Sequence, residues 1–139
     1  MSVEPVSSIS FQSRLKRLYK SGKIKLDYDI YGLRLTPQNA SDEHIVCRCR
    51  GGSSDESNIA LADVHMNNFR GSRLIEEFVT MKMVNKYVER LLTNNPRMIG
   101  DYDLKAYCDG ILKTFNRIFH NDTQIHRLTV NKSRNQRQN

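Results

Sequence analysis

The residues best suited to chemistry lie between Asp27 and His65. Cys47 and Cys49 are separated by one residue, with His44 just before them and His65 downstream. Thiolates and imidazoles bind zinc, but structural zinc sites usually place two to four residues between paired cysteines. Two small thiols in a core strand are therefore the simpler expectation, and no metal centre is assigned. Asp27 and Asp29, with Asp63, could hold a magnesium ion for phosphodiester hydrolysis. The same spacing also describes the polar side of a strand flanked by Lys23 and Lys25, so a metal-dependent nuclease ranks behind the readings below. Arg48 and Arg50, followed by Gly51, Gly52, Ser53 and Ser54, offer guanidinium groups and backbone amides to a phosphate. They lack the lysine and spacing of a nucleotide-binding P-loop. No nucleophile-elbow sequence is present, and the four histidines are scattered. The expectation is a non-enzymatic protein without a cofactor.

These residues need elements to hold them. The strongest periodic stretch is Ser72 to His120, read as two amphipathic helices joined by a short turn containing Pro96. In the second helix Leu104, Cys108, Ile111, Phe115 and Ile118 recur at alternating steps of four and three, which builds one apolar face. Asp101 is the expected N-cap, with Asp103 in the first turn, and Gly110 marks a close packing contact. The first helix, about Ser72 to Thr93, is apolar over more than half its circumference. Its positions Leu74, Phe78, Met81, Asn85 and Val88 also fit a heptad seam, with Asn85 at an a-type position that can fix register in a dimer.

Upstream, Ser8 to Lys20 reads as a short basic amphipathic helix that ends at Gly22. Lys23 to Leu35 alternates as a strand, with a slip of one residue near Gly32 that suggests a bulge. Pro37 to Glu43 reads as a loop. His44 to Arg50 and Ile59 to Met66 read as further strands, and Thr123 to Val130 as an edge strand. The expected fold is α+β: a small N-terminal helix, a three- to four-stranded antiparallel sheet, then a C-terminal antiparallel helical hairpin. The expected organisation is a flexible lead-in over 1–7, one domain over 8–130 and a disordered basic tail over 131–139.

The chain has 139 residues and a net charge of +7. Residues 1–25 hold six Lys or Arg against one Glu, residues 26–125 hold twelve against fourteen acids, and residues 126–139 hold four against none. The excess positive charge thus sits at the two ends, which is how a protein meets a polyanion. No apolar run approaches the roughly 18 residues of a membrane span, and no signal-peptide pattern opens the chain. Three cysteines without framework spacing fit a reducing, intracellular setting, cytoplasmic or nuclear.

The leading functional expectation is nucleic-acid binding, RNA ahead of DNA, through phosphates. The candidate contacts are Arg14, Lys16, Arg17, Lys20, Lys23, Lys25, Arg48 and Arg50, with tail residues Lys132, Arg134 and Arg137. Tyr19, Tyr28, Tyr31 and Phe69 lie near basic residues, where stacking on bases competes with core packing. As a class, a small, basic, motif-poor protein fits a virus-encoded accessory factor. The alternative is a self-assembling scaffold or adaptor, a homodimer through the first hairpin helix, touching an acidic protein or a membrane surface.

Overall fold

A computed structural model describes residues 11–122. The expected lead-in, residues 8–10, the expected edge strand and the tail with Lys132, Arg134 and Arg137 lie outside the described residues. Helix α1, Arg14–Lys20, is shorter than its periodicity suggests. Ser13 stops it on the N-terminal side: its hydroxyl accepts from the Lys16 amide, while its own N–H and hydroxyl donate to the Asp42 carboxylate at 2.7 and 2.5 Å. Leu15 and Tyr19, four apart, anchor α1 to the core.

Residues 23–35 do not form the expected strand. The apolar set Ile24, Leu26, Ile30, Tyr31 and Leu35 is buried as the alternation implies, but the backbone makes only a bridge between Tyr28 and Arg34 around a turn. Asp29 causes this difference. Instead of facing water it is 1% exposed, and its Oδ1 accepts the amides of Tyr31 and Leu33 at 3.0 and 2.7 Å. Its Oδ2 accepts the Asp63 amide at 2.7 Å. Gly32, at φ 80°, takes the left-handed position that the turn requires. The slip in alternation near Gly32 is thus a tight turn closed by a carboxylate, not a bulge.

The main sheet has two antiparallel strands, β1 (Ala40–His44) and β2 (Ile59–Asp63), paired from Ala40 with Asp63 to His44 with Ile59. β1 falls in the expected loop because its sequence, Ala-Ser-Asp-Glu-His, shows no apolar alternation. The expected strand after His44 instead leaves the sheet at Ile45 and winds into a 3-10 turn over Arg48–Arg50. β2 ends where the Asp63 side chain accepts from the Met66 amide and starts α2, Val64–Arg70.

Among the described residues no third strand joins this sheet, and side chains and a turn take its place. The Leu61 amide donates to the Tyr87 hydroxyl, Tyr87 contacts the Tyr107 hydroxyl at 2.9 Å, and Tyr107 donates to the Ile59 carbonyl at 2.6 Å. The Ile30 amide donates to the Leu61 carbonyl at 3.1 Å. On the other side, α2 serves β1: Asn67 donates to the Asp42 carbonyl and Arg70 to the carbonyls of His44 and Ile45.

After α2, residues 72–80 carry a 3-10 turn at Ile75–Glu77, and α3 runs from Met81 to Asn94 with Thr80 as its cap. The expected helix start at Ser72 is therefore nine residues early. Leu74 and Phe78 precede the helix, so the heptad seam is not carried by one helix; Asn85 is exposed and Val88 is buried in the chain's own core. A two-residue ribbon, β3 (Met98–Ile99) with β4 (Tyr102–Asp103), leads to α4, Leu104–Asn116, and a π-helical turn over Arg117–Asp122. Asp103, not Asp101, caps α4 by accepting from the Ala106 amide at 2.9 Å. The expected stripe Leu104, Cys108, Ile111, Phe115 and Ile118 is wholly buried. At Gly110 an added Cβ would lie 3.3 Å from the Ser57 side chain, which confirms a close approach.

The Gly51-Gly52 turn is sterically demanding. A Cβ at Gly52 would sit 1.7 Å from the Val46 carbonyl oxygen, so the backbone itself would have to move. Gly52→Ala is expected to cost about 3 kcal/mol, the upper end of ordinary overpacking, measured by urea unfolding. An unchanged midpoint would contradict this turn geometry.

Candidate nucleic-acid interface

The turn over residues 28–34 packs against the outer face of α3, where Lys82, Lys86 and Arg90 follow at helical steps of four. Over eight residues this stripe rises about 12 Å. Gly32, Lys82, Met83, Lys86 and Arg90 line a shallow groove of about 170 Å³. At its end stands Tyr28, 37% exposed, with the Arg90 guanidinium 4.8 Å and the Arg34 guanidinium 5.9 Å from its ring centre. Cation–π attraction of this kind holds the ring beside the stripe. Lys25 joins the same region through its main chain, since its amide donates to Asn95 Oδ1 and its carbonyl accepts from Asn95 Nδ2. Segment 23–25 therefore lies beside the C-terminal end of α3.

Electrostatically, the stripe is uncommitted. Four ion pairs form among the described residues: Arg14 with Asp101, Lys16 with Asp42, Arg70 with Glu43 and Lys105 with Asp109. None uses Arg34, Lys82, Lys86 or Arg90. Asp27 lies nearby; with burial as the larger cause, it pushes the Tyr19 phenol up while Arg34 pulls it down.

The basic residues expected from the sequence divide into two groups. Lys20, Lys23 and Lys25 are exposed and outside every ion pair among the described residues. Arg14 is paired with Asp101 and lies over the Tyr102 ring, Lys16 is held 3.6 Å from Asp42, and Arg17 donates to the Gln12 carbonyl. Arg48 and Arg50 are exposed but lie on the turn after β1, where they donate to Ser54 Oγ and the Ser72 carbonyl. Of the four aromatic candidates, Tyr19 and Tyr31 are core residues, while Tyr28 and Phe69 are exposed. The charge count by segment pointed to the ends of the chain and passed over α3, where acids elsewhere in the segment cancel the lysines. The spacing of Lys82, Lys86 and Arg90 was the available signal.

Two members of the proposed acidic triad are committed elsewhere, while Asp27 is exposed. Asp29 serves three amides, and burial still pushes its carboxyl up against their pull. Asp63 caps α2 and accepts from Asn39 at 2.8 Å. Among the described residues, no three acidic, histidine or cysteine side chains gather around one point. Cys47 and Cys49 are not thiols on a strand face but are joined as a disulfide, so neither offers a thiolate to zinc.

No known family, curated protein or solved structure matches the chain. Among the described residues, no helix is long and apolar enough to cross a membrane.

Sequence reasoning also missed a buried polar cluster. Arg70, 1% exposed, donates from Nε to the Arg73 carbonyl and from its two terminal nitrogens to the carbonyls of His44 and Ile45, each at 2.7 Å. Nη1 also lies 3.2 Å from Glu43 Oε1, and the Tyr31 hydroxyl donates to Glu43 Oε2. Burial pushes the Glu43 carboxyl up, opposed by the Tyr31 hydrogen bond and by Arg70. Desolvation and the Glu43 carboxylate both push the Tyr31 phenol up. These groups satisfy one another, and the cluster holds α2 to β1.

Proposed function

We propose that this chain is a nucleic-acid-binding protein that takes single strands, RNA ahead of DNA, on the face made by α3 and the 28–34 turn. The observation that carries the reading is Tyr28, held exposed beside two guanidinium groups at the end of a basic stripe that enters no ion pair among the described residues. Lys82, Lys86, Arg90 and Arg34 supply phosphate contacts, and Tyr28 supplies a stacking surface that every base can use. Lys20, Lys23 and Lys25 extend the positive field along the adjoining segment. Unpaired bases, exposed in RNA loops and single strands, are what such an aromatic meets. The reading is of a binding protein rather than an enzyme.

Fluorescence anisotropy with short single- and double-stranded RNA and DNA at several salt concentrations tests it. Neutralising about five phosphates on a single strand gives a log–log slope of about −3.5. Absence of binding at low salt overturns the proposal. Tyr28→Ala is expected to weaken single-strand binding by about 1–3 kcal/mol, roughly 5- to 150-fold, and to leave duplex binding nearly unchanged. Equal losses on both would assign Tyr28 a role in folding the turn rather than in stacking.

A further inference from the structure

The disulfide between Cys47 and Cys49 has little to do as a staple. It closes a loop with one intervening residue and ties no distant parts of the chain together, and so short a loop restricts the unfolded chain least. The surrounding turn is held without it. Asn58 grips Val46 through both its amide and its carbonyl, and the amides of Arg50 and Gly52 donate to the Cys47 carbonyl.

Cys49 is exposed and Cys47 is half-buried. Arg48 stands between them and Arg50 follows, both exposed and bonded to Ser54 Oγ and the Ser72 carbonyl, so positive charge flanks the pair along the chain, the kind of setting that favours a thiolate. Cys47 Sγ lies 4.0 Å from the Ser72 carbonyl oxygen, an acceptor for its S–H once reduced. The two sulfurs thus differ: one is open to attack, and the other has a protein acceptor for its thiol form.

We propose that Cys47 and Cys49 form a thiol–disulfide exchange site for cysteinyl thiols, with Cys49 as the attacked sulfur and Cys47 as the leaving sulfur. A substrate thiolate attacks Cys49 Sγ in line with the disulfide. A bond forms between the substrate sulfur and Cys49, the Cys47–Cys49 bond breaks, and Cys47 departs as a thiolate that takes up the proton the substrate lost. A second substrate thiolate then attacks the substrate sulfur of this mixed disulfide. Cys49 is released and protonated, so a substrate dithiol is oxidised to its disulfide as the protein's disulfide is reduced to two thiols.

The test uses the full chain in its oxidised form, incubated in native buffer with reduced glutathione, alkylated and mapped by mass spectrometry. Cys47 and Cys49 are expected to become alkylated, while Cys108 stays unmodified as an internal reference, being buried with its thiol pushed up to about 12. With glutathione disulfide, Cys47→Ser is expected to capture glutathione on Cys49 about tenfold faster than Cys49→Ser captures it on Cys47. Adding Arg48→Gln and Arg50→Gln to Cys47→Ser should slow capture about fivefold. Circular dichroism identifies any variant that fails to fold, and the wild-type measurement needs none. The proposal is overturned if glutathione reduces the disulfide only after denaturant is added, or if both cysteines alkylate without reductant. Equal capture rates in the two serine variants would also overturn the assigned order of attack.

Discussion

Arg70→Met is expected to lower the unfolding free energy by about 3–5 kcal/mol, the cost of leaving a buried charge without its partner. The native guanidinium serves three backbone carbonyls and one carboxylate inside the core. Methionine fills much of the volume and satisfies none of these acceptors, and Glu43 is left with only Tyr31. Urea unfolding at pH 7 measures the loss, and the pH dependence identifies its source. In the native protein burial already raises the Glu43 carboxyl above its ordinary value, and removing Arg70 raises it further. A carboxyl whose folded value lies above its unfolded value favours the folded state when protonated, and this benefit is lost as pH rises through the folded value. The deficit of the variant is therefore larger at neutral pH and shrinks on acidification. A deficit independent of pH would mean that the lost carbonyl contacts, and not the stranded carboxylate, carry the cost. His44 shifts the other way, because burial and then Arg48 hold its imidazole below the ordinary value. Arg70 adds a smaller push in the same direction, so its removal lets the imidazole rise toward its ordinary value and also shrinks the deficit on acidification.

Reversing Lys82, Lys86 and Arg90 to glutamate is expected to weaken single-strand binding at least about 100-fold at 0.1 M salt, because three phosphate contacts and their released counterions disappear together. The log–log salt slope should become shallower by about 2, and the circular dichroism spectrum should stay native because Lys82 and Lys86 are solvent-exposed and Arg90 is partly so. Reversing Arg14 and Lys16 makes the informative contrast. Both already neutralise carboxylates, so less is lost in binding and more in the anchoring of α1. If the α1 pair matters more than the α3 triplet, the interface lies on α1 and the proposed face is wrong.

The residues of α4 were legible because burial on one face of a regular helix leaves a direct periodic trace. Tyr87 was harder to place. It lies off the heptad seam of Leu74, Phe78, Met81, Asn85 and Val88, yet it is fully buried, with its hydroxyl bonded to the Leu61 amide of β2. Asp29 misled because a charged residue at an alternating position reads as solvent-facing unless its buried partners are known, and Glu43 because it closes a polar run that reads as a loop. The partners here are backbone amides for Asp29, and Arg70 with Tyr31 for Glu43, all distant in sequence apart from the local turn. The N-terminal boundary of α3 was misplaced because residues 72–80 carry apolar side chains at helical intervals while the backbone runs through a 3-10 turn. Within the candidate interface, Lys25 and Tyr28 had been singled out. Arg34, Lys82, Lys86 and Arg90 join them only through the fold of the 28–34 turn onto α3.

The paired strands β1 and β2 have a consequence for how this protein meets other chains. A two-stranded ribbon ordinarily leaves two rows of amides and carbonyls on which a further strand can grow. Along β2 the outward groups of Ile59, Leu61 and Asp63 are already taken by Tyr107, Tyr87, Ile30 and Asp29. Along β1 the carbonyls of Asp42 and His44 are taken by Asn67 and Arg70. Strand addition by a visiting peptide has no vacant template on β2 and a half-blocked one on β1, so recognition falls to side chains. Amyloid-type growth from this ribbon must wait until α2, α3 and α4 have let go of it.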